Sequence, residues 1–229
     1  MTAPPRHRRR EVSRIEGFSD AVFGFAVTLL VVSLEVPRTF HDLLLMMRGF
    51  PAFAVSFAML FMLWWRHYRF FRRYDLEDPF VITMTAFLLF VVLFYVYPLK
   101  FLWSFVFSQA IEGGAPKAIE RAEIYMLFEI YGAGVAAAYG LLAALYLHAY
   151  RRRAELDLTP VEVMDTRVDI YSNISLAGIG LISAILAAVL NLVAPQLVGI
   201  AGLMYFLFGV SEWTLGAYRG RLQRRMMER

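Results

Sequence analysis

The stretch that decides the fold runs from Ile170 to Ser211 and reads IYSNISLAGIGLISAILAAVLNLVAPQLVGIAGLMYFLFGVS. It is 42 residues long and carries no charged side chain. As one continuous helix it would measure about 63 Å, roughly twice the apolar thickness of a bilayer. The sequence Ala194-Pro195-Gln196 lies in the middle of the run and is typical of a tight turn. The stretch therefore predicts two consecutive membrane helices.

The rest of the chain has the same apolar character. Its 229 residues are 59% hydrophobic and 18% charged, with a mean hydropathy of +0.56. These values exclude a soluble globular domain and a disordered chain. Four further uncharged runs bring the predicted spans to six, because a charge at mid-bilayer is costly. We predict an all-α, polytopic fold with a single six-helix membrane domain, its approximate spans being 15–36, 46–66, 79–103, 124–150, 169–193 and 196–217.

The basic residues predict the orientation of these spans. Of the 23 Lys and Arg, 18 fall on the side of the two termini and only five on the other side. Positive charge accumulates in cytoplasmic loops, so both termini are expected in the cytoplasm and the chain in the plasma or inner membrane. Because membrane flanks account for the arginines, no nucleic-acid partner is expected. Binding of anionic lipid by the Arg-rich flanks is a secondary possibility.

No pattern in the sequence indicates catalysis or a bound cofactor. There is no cysteine, and the four histidines lack metal-ligand spacing. Phosphate-binding loops and nucleophile turns are also missing from the sequence, so we expect neither an enzyme nor a metal. Residues 101–123 are ambiguous, since they either extend the third helix outward or lie in the membrane interface.

The first predicted helix is unusual because its uncharged part is too short. Ala21–Leu34 has 14 residues, about 21 Å as a helix, against a core of about 30 Å. The helix must therefore take Arg14, Glu16, Ser19 and Asp20 into the membrane, where other helices would satisfy them. Glu212 or Asp169 is expected to pair with Arg14, and Asn173 or Trp213 to bond to Asp20. The alternative is a solvated inner mouth.

Two stripes run along this helix at helical spacing. One is large and apolar, and the other consists of small residues that let a second backbone approach closely. From the residues alone, the large stripe faces either lipid or a pore. The large stripe contains Phe18, Val22, Phe25, Leu29, Val32 and Val36, and the small stripe contains Gly17, Ala21, Gly24 and Thr28.

The segment RIEGFSD at residues 14–20 resembles a known signature. It matches the Arg-x-x-x-Phe-Ser-Asp motif that opens the first helix of the transmembrane protein 175 family, the lysosomal and bacterial potassium channels. Thr28, eight residues after Asp20, and the following Leu29 match as well. The resemblance implies a potassium-selective channel in a lipid membrane. A single motif copy in one six-span unit resembles the bacterial members, which form homotetramers around a pore lined by first helices.

The resemblance also implies roles for individual residues. The constriction, five residues after the aspartate, falls on Phe25, with further pore-facing positions at Thr28, Leu29 and Val32. Our hypothesis is that Phe25 and Leu29 gate the pore and that Thr28 contributes to selectivity. Phe25 departs from the family, which more often has Ile or Leu there. A secondary transporter with a binding site inside each subunit is the competing interpretation.

Overall fold

The chain forms helices throughout the part that can be described. The computed structural model describes residues 12–32, 37–112, 121–194, 197 and 199–227, and these contain eight helices and no strand. The predicted all-α fold is therefore confirmed. The helices are α1 (Arg14–Val32), α2 (Phe40–Arg48), α3 (Phe50–Tyr74), α4 (Pro79–Glu112), α5 (Arg121–Arg151), α6 (Pro160–Val193), α7 (Gly199–Leu203) and α8 (Phe206–Met227).

Several of these helices are long and apolar enough to cross a membrane. Four segments of the described chain meet both conditions: Pro79–Phe107, Glu123–Arg151, Pro160–Val193 and Ile200–Gln223. The pair α2 and α3 makes a fifth candidate, bent by 46° between its two parts. The protein is therefore a multi-pass membrane protein. A sixth span would have to come from α1, whose 19 residues include two acids and an arginine.

Several helices, among them α6 and α4, extend beyond the uncharged runs from which the spans were predicted. The helix α6 begins at Pro160 rather than near 169, because Thr159 and Glu162 form a capping box that starts it there. The helix α4 continues to Glu112, so residues 101–112 extend the third predicted span instead of lying apart from it. Residues 113–120 of that ambiguous segment, like residues 33–36 of the first predicted span and the Pro195-Gln196 turn, lie outside the described residues, whereas residues 121–123 begin α5.

Close helix contacts are made by small residues of α5. A Cβ atom built on Gly132 would lie 2.5 Å from the carbonyl oxygen of Gly180 in α6, so both backbones approach directly. Two residues further on, and therefore on a different side of α5, the ring of Tyr95 from α4 covers Gly134, and its hydroxyl donates to the carbonyl of Ile130. These contacts join α4, α5 and α6 into the central part of the bundle. The first helix packs against α3 and α4, and α8 packs against α6.

Candidate permeation site on the first helix

The helix α1 has one face covered by its own subunit and one face that is open. Ser19, Phe23, Ala26 and Leu30 are at most 4% exposed and pack towards α3 and α4. On the opposite side, residues recur at helical spacing with their side chains or backbone exposed. The open face consists of Arg14, Gly17, Phe18, Ala21, Gly24, Phe25, Thr28 and Val31. Nothing in the described part of the subunit covers it.

The predicted gate residue lies on this open face. Phe25 is 57% exposed, and Phe18, two turns earlier, is 61% exposed. Beside Phe25, an added Cβ on Gly24 would meet nothing within 4 Å, so the backbone itself is accessible there. The open face thus combines large apolar rings with small residues that would let a second copy of the helix come close.

Thr28 lies on the same face, with its hydroxyl held in place. Its Oγ1 donates to the carbonyl oxygen of Phe25 at 2.7 Å. Because the hydroxyl proton is used within the helix, the oxygen lone pairs remain available to accept a hydrogen bond or to contact a cation. This is the arrangement that a side chain replacing part of an ion's hydration shell needs.

Leu29 is placed differently from the predicted stripe. It is only partly exposed and packs against the hydrophobic core of its own subunit, as does Val22. The open face is therefore rotated from the centre of the large apolar stripe towards the small one. Val32 ends the helix, and its side chain lies outside those that the structure describes.

The polar end of α1 is fixed to α3. The indole Nε1 of Trp64 donates to Oδ1 of Asp20 at 2.7 Å. Ser19 is fully buried and donates to the carbonyl of Ile15 in its own helix. The expected bonds from Asn173 or Trp213 to Asp20 are wrong in this subunit: Trp213 is 76% exposed, and Asn173 Nδ2 donates to the backbone of its own helix. Asp20 bonds to Trp64 rather than to Trp213 because α1 packs directly on α3.

The other expected partners form a separate cluster. Asp169, 6% exposed at its side chain, accepts from Arg69 and Arg73 of α3 and from Arg219 of α8. Glu212 pairs with Arg66 at 2.6 Å. The expected pairing of Arg14 with Asp169 or Glu212 is therefore wrong in this subunit, since these acids are taken by arginines that lie nearer.

The sequence contained a signal for this cluster. Arg66, Arg69 and Arg73 are spaced by three and four residues on α3, and Asp165 and Asp169 by four on α6. Such spacing places each set on one helix face. The number of arginines on each side of the membrane predicts membrane anchors, whereas their spacing along α3 indicates a shared face.

A cavity inside the subunit bears on the transporter alternative. It lies between α3, α4 and α5, holds about 40 Å³ and is lined almost wholly by apolar side chains such as Leu63, Val92 and Ala138. That volume is on the order of a single water molecule. Across the described part of the chain, no group of three or more His, Cys, Asp or Glu is arranged to hold a metal. The cavity offers no room for a transported solute.

Comparison with known proteins adds a family to this geometry. The sequence profile of the endosomal/lysosomal potassium channel TMEM175 matches residues 14–95, which include α1 and α3. A protein from Marivirga tractuosa named "Potassium channel" is 35% identical over 231 residues, covering 96% of this chain and 93% of that relative.

Two solved structures are similar as well. One is a crystal structure of the potassium channel MtTMEM175, solved as a threonine-to-alanine variant with a nanobody–MBP fusion. It has a TM-score of 0.82 and 31% identity, covering 96% of this chain and 99% of that chain. The other, a lysosomal potassium-selective channel TMEM175 homologue from Chamaesiphon minutus, has a TM-score of 0.57 at 24% identity over 90% of this chain and 99% of its own. The second supports the fold alone. The chain belongs to the TMEM175 family of potassium channels.

Proposed function

We propose that the protein is a potassium-selective channel whose pore lies between the first helices of four copies of the chain. The observation that carries this proposal is the open face of α1, with exposed Phe25 and Thr28 beside Gly24. One helix cannot enclose a pore, but several open faces brought together can. The relatives named as potassium channels support the permeant ion, and the proposal includes cytoplasmic termini and six spans per subunit.

The apolar rings of the open face act as the gate. A ring of Phe25 side chains at the pore axis expels water, and ions cross only when the ring widens enough to keep part of their hydration. The flanking positions of the gate are Leu29 and Val32. Since Leu29 packs partly on its own subunit, Phe25 carries most of the constriction.

The hydroxyls of Thr28 contribute to selectivity. One turn from Phe25, they present oxygen lone pairs to an ion that has shed part of its water, because their protons are held by the helix backbone. The motif residues Arg14, Phe18, Ser19 and Asp20 position the helix, and the polar side chains among them are not themselves ion ligands.

A flux assay in proteoliposomes tests the proposal. With a potassium gradient and sodium as comparator, Phe25→Asn should raise the flux, because a polar ring no longer expels water. Phe90, 67% exposed on α4, provides the matched control: Phe90→Asn should leave the flux unchanged. Unchanged potassium flux in Phe25→Asn would refute the assignment of Phe25 as the gate. Flux strictly stoichiometric with a second solute would favour a transporter.

A further inference from the structure

A second cavity of the subunit lies away from α1. It is a cleft of about 530 Å³ between α3, α6 and α8. Its volume falls within the range of about 300–1,000 Å³ that is typical of small-molecule sites. The cleft is distinct from the apolar cavity between α3, α4 and α5, because charged side chains line it.

One end of the cleft is positively charged. Arg66, Arg69 and Arg219 line it together with Asp169 and Glu212, which leaves one net positive charge. The net positive charge disfavours a cation at this end of the cleft. The excess charge is complementary to an anion.

The arginines keep donors that the protein does not use. Arg69 donates to Asp169 through Nη2 only, and Arg219 likewise through Nη2. Within the described chain, Nε and Nη1 of Arg69 and Nη1 of Arg219 donate no hydrogen bond. Their side chains are 29% and 24% exposed, so these groups are accessible from the cleft. Guanidinium groups with free donors are well suited to phosphate oxygens.

The other end of the cleft is apolar. Phe61, Met62 and Trp65 of α3 line it and are 42–49% exposed. The ring of Phe61 stacks on that of Phe57 one turn further along α3, with centroids 6.2 Å apart, so the apolar surface continues away from the arginines. Trp65 is an indole of the kind that lies at membrane interfaces. A free phosphate ion would use only the charged end, whereas an amphipathic anion would use both.

We propose that this cleft binds an anionic phospholipid, with its phosphate on Arg69 and Arg219 and its acyl chains along Phe61 and Trp65. The bound lipid joins α8 to α3. Apart from Ser175–Ser211, the described side-chain hydrogen bonds and ion pairs that hold α8 to α3 and α6 lie at the arginine cluster. The binding is independent of ion conduction and can be measured on protein that does not conduct.

A glycine on α8 allows the cleft to be filled without disturbing the core. Gly216 lines the cleft, and a Cβ added to it would meet nothing within 4 Å. In Gly216→Leu the new side chain is therefore expected to fill part of the cleft rather than to collide with protein atoms. Gly220, one turn further on, is equally free of contacts but does not line the cleft, so Gly220→Leu is the matched control.

The experiment measures the thermal unfolding of detergent-purified protein with added phosphatidylglycerol, phosphatidylcholine or inorganic phosphate. Phosphatidylglycerol should raise the unfolding midpoint of the wild type and of Gly220→Leu more than phosphatidylcholine does. In Gly216→Leu its apparent affinity should fall roughly tenfold, because the lipid meets an overfilled site. Arg69→Gln, which removes the charge without filling the cleft, should remove the preference for the anionic lipid.

Three results would overturn the proposal. Equal shifts of the unfolding midpoint with the two lipids would show that the cleft does not recognise the charge of the headgroup. An equal shift with inorganic phosphate alone would identify a free anion as the occupant. The third result would come from size-exclusion chromatography. A change of oligomeric state in Gly216→Leu but not in Gly220→Leu would indicate that another copy of the chain occupies the cleft.

Discussion

The hydrogen bond from Trp64 to Asp20 allows a sharp test of how the first helix is held. Trp64→Phe keeps an aromatic ring against Phe61 and Tyr68, whose centroids lie 5.3 and 5.4 Å from that of Trp64. It removes the indole N–H that Asp20 accepts at 2.7 Å, together with part of the ring area. A hydrogen bond to a charged group contributes about 1.5–3 kcal/mol, and its loss leaves a partly buried carboxylate without that donor.

The expected effect is measurable by thermal unfolding in detergent. For a chain of this size, 1 kcal/mol corresponds to roughly 2–4 °C, so the midpoint should fall by about 3–12 °C. Trp65→Phe is the matched control, because its indole donates no hydrogen bond within the described chain and the change should stay within about 0.5 kcal/mol. A double-mutant cycle with Asp20→Ala should return a coupling of about 1.5–3 kcal/mol. Equal shifts in the two tryptophan variants, or a coupling near zero, would refute the reasoning.

Three other predictions test separate parts of the fold. Gly132→Ala should destabilise the protein, because its Cβ would lie 2.5 Å from the backbone of α6. Gly140→Ala is the control and should stabilise the protein by about 1 kcal/mol, because an added Cβ there meets nothing within 4 Å. Equal unfolding midpoints of the two variants would contradict the contact between α5 and α6. Asp169→Asn should lower the free energy of unfolding by about 3 kcal/mol or more, since it removes a buried charge that three arginines share. A thermal unfolding midpoint equal to that of the wild type would contradict this cluster. Burial raises the pKa of Asp78, but hydrogen bonds from His148 and from backbone N–H groups outweigh it and lower the pKa. The stability that Asp78 contributes is therefore present above its unfolded pKa of about 3.9 and is lost as the pH falls through the lower folded pKa. The difference in unfolding free energy between the wild type and Asp78→Asn should therefore shrink in acid. A difference that stays constant with pH would exclude this role.

The positions of the helices could be predicted because the cost of a charge in lipid is local. The uncharged runs identify α4, α5 and α6 without any knowledge of their neighbours. The helix ends were less predictable. Thr159 and Glu162 continue α6 past the apolar run, since a capping box stabilises a helix whether or not lipid surrounds it.

The partners of the polar residues could not be predicted, because they depend on the rotation of each helix. Trp64 and Trp65 are adjacent in sequence but point about 100° apart, and only Trp64 reaches Asp20. The same rotation places Thr28 on the open face of α1 while Leu29 packs on its own subunit. Sequence spacing gives the relative angles within one helix but not the direction in which that helix faces its neighbours.

The absence of cysteine from the chain makes one measurement especially direct. In Thr28→Cys, the introduced thiol is unique, and a charged, water-soluble methanethiosulfonate reagent can reach it only if water reaches the open face of α1. If that face lines the pore, complete modification, checked by mass spectrometry, should block potassium flux in proteoliposomes, whereas Phe90→Cys on α4 should keep its flux. Unchanged flux through fully modified Thr28→Cys would contradict the placement of the pore between the first helices.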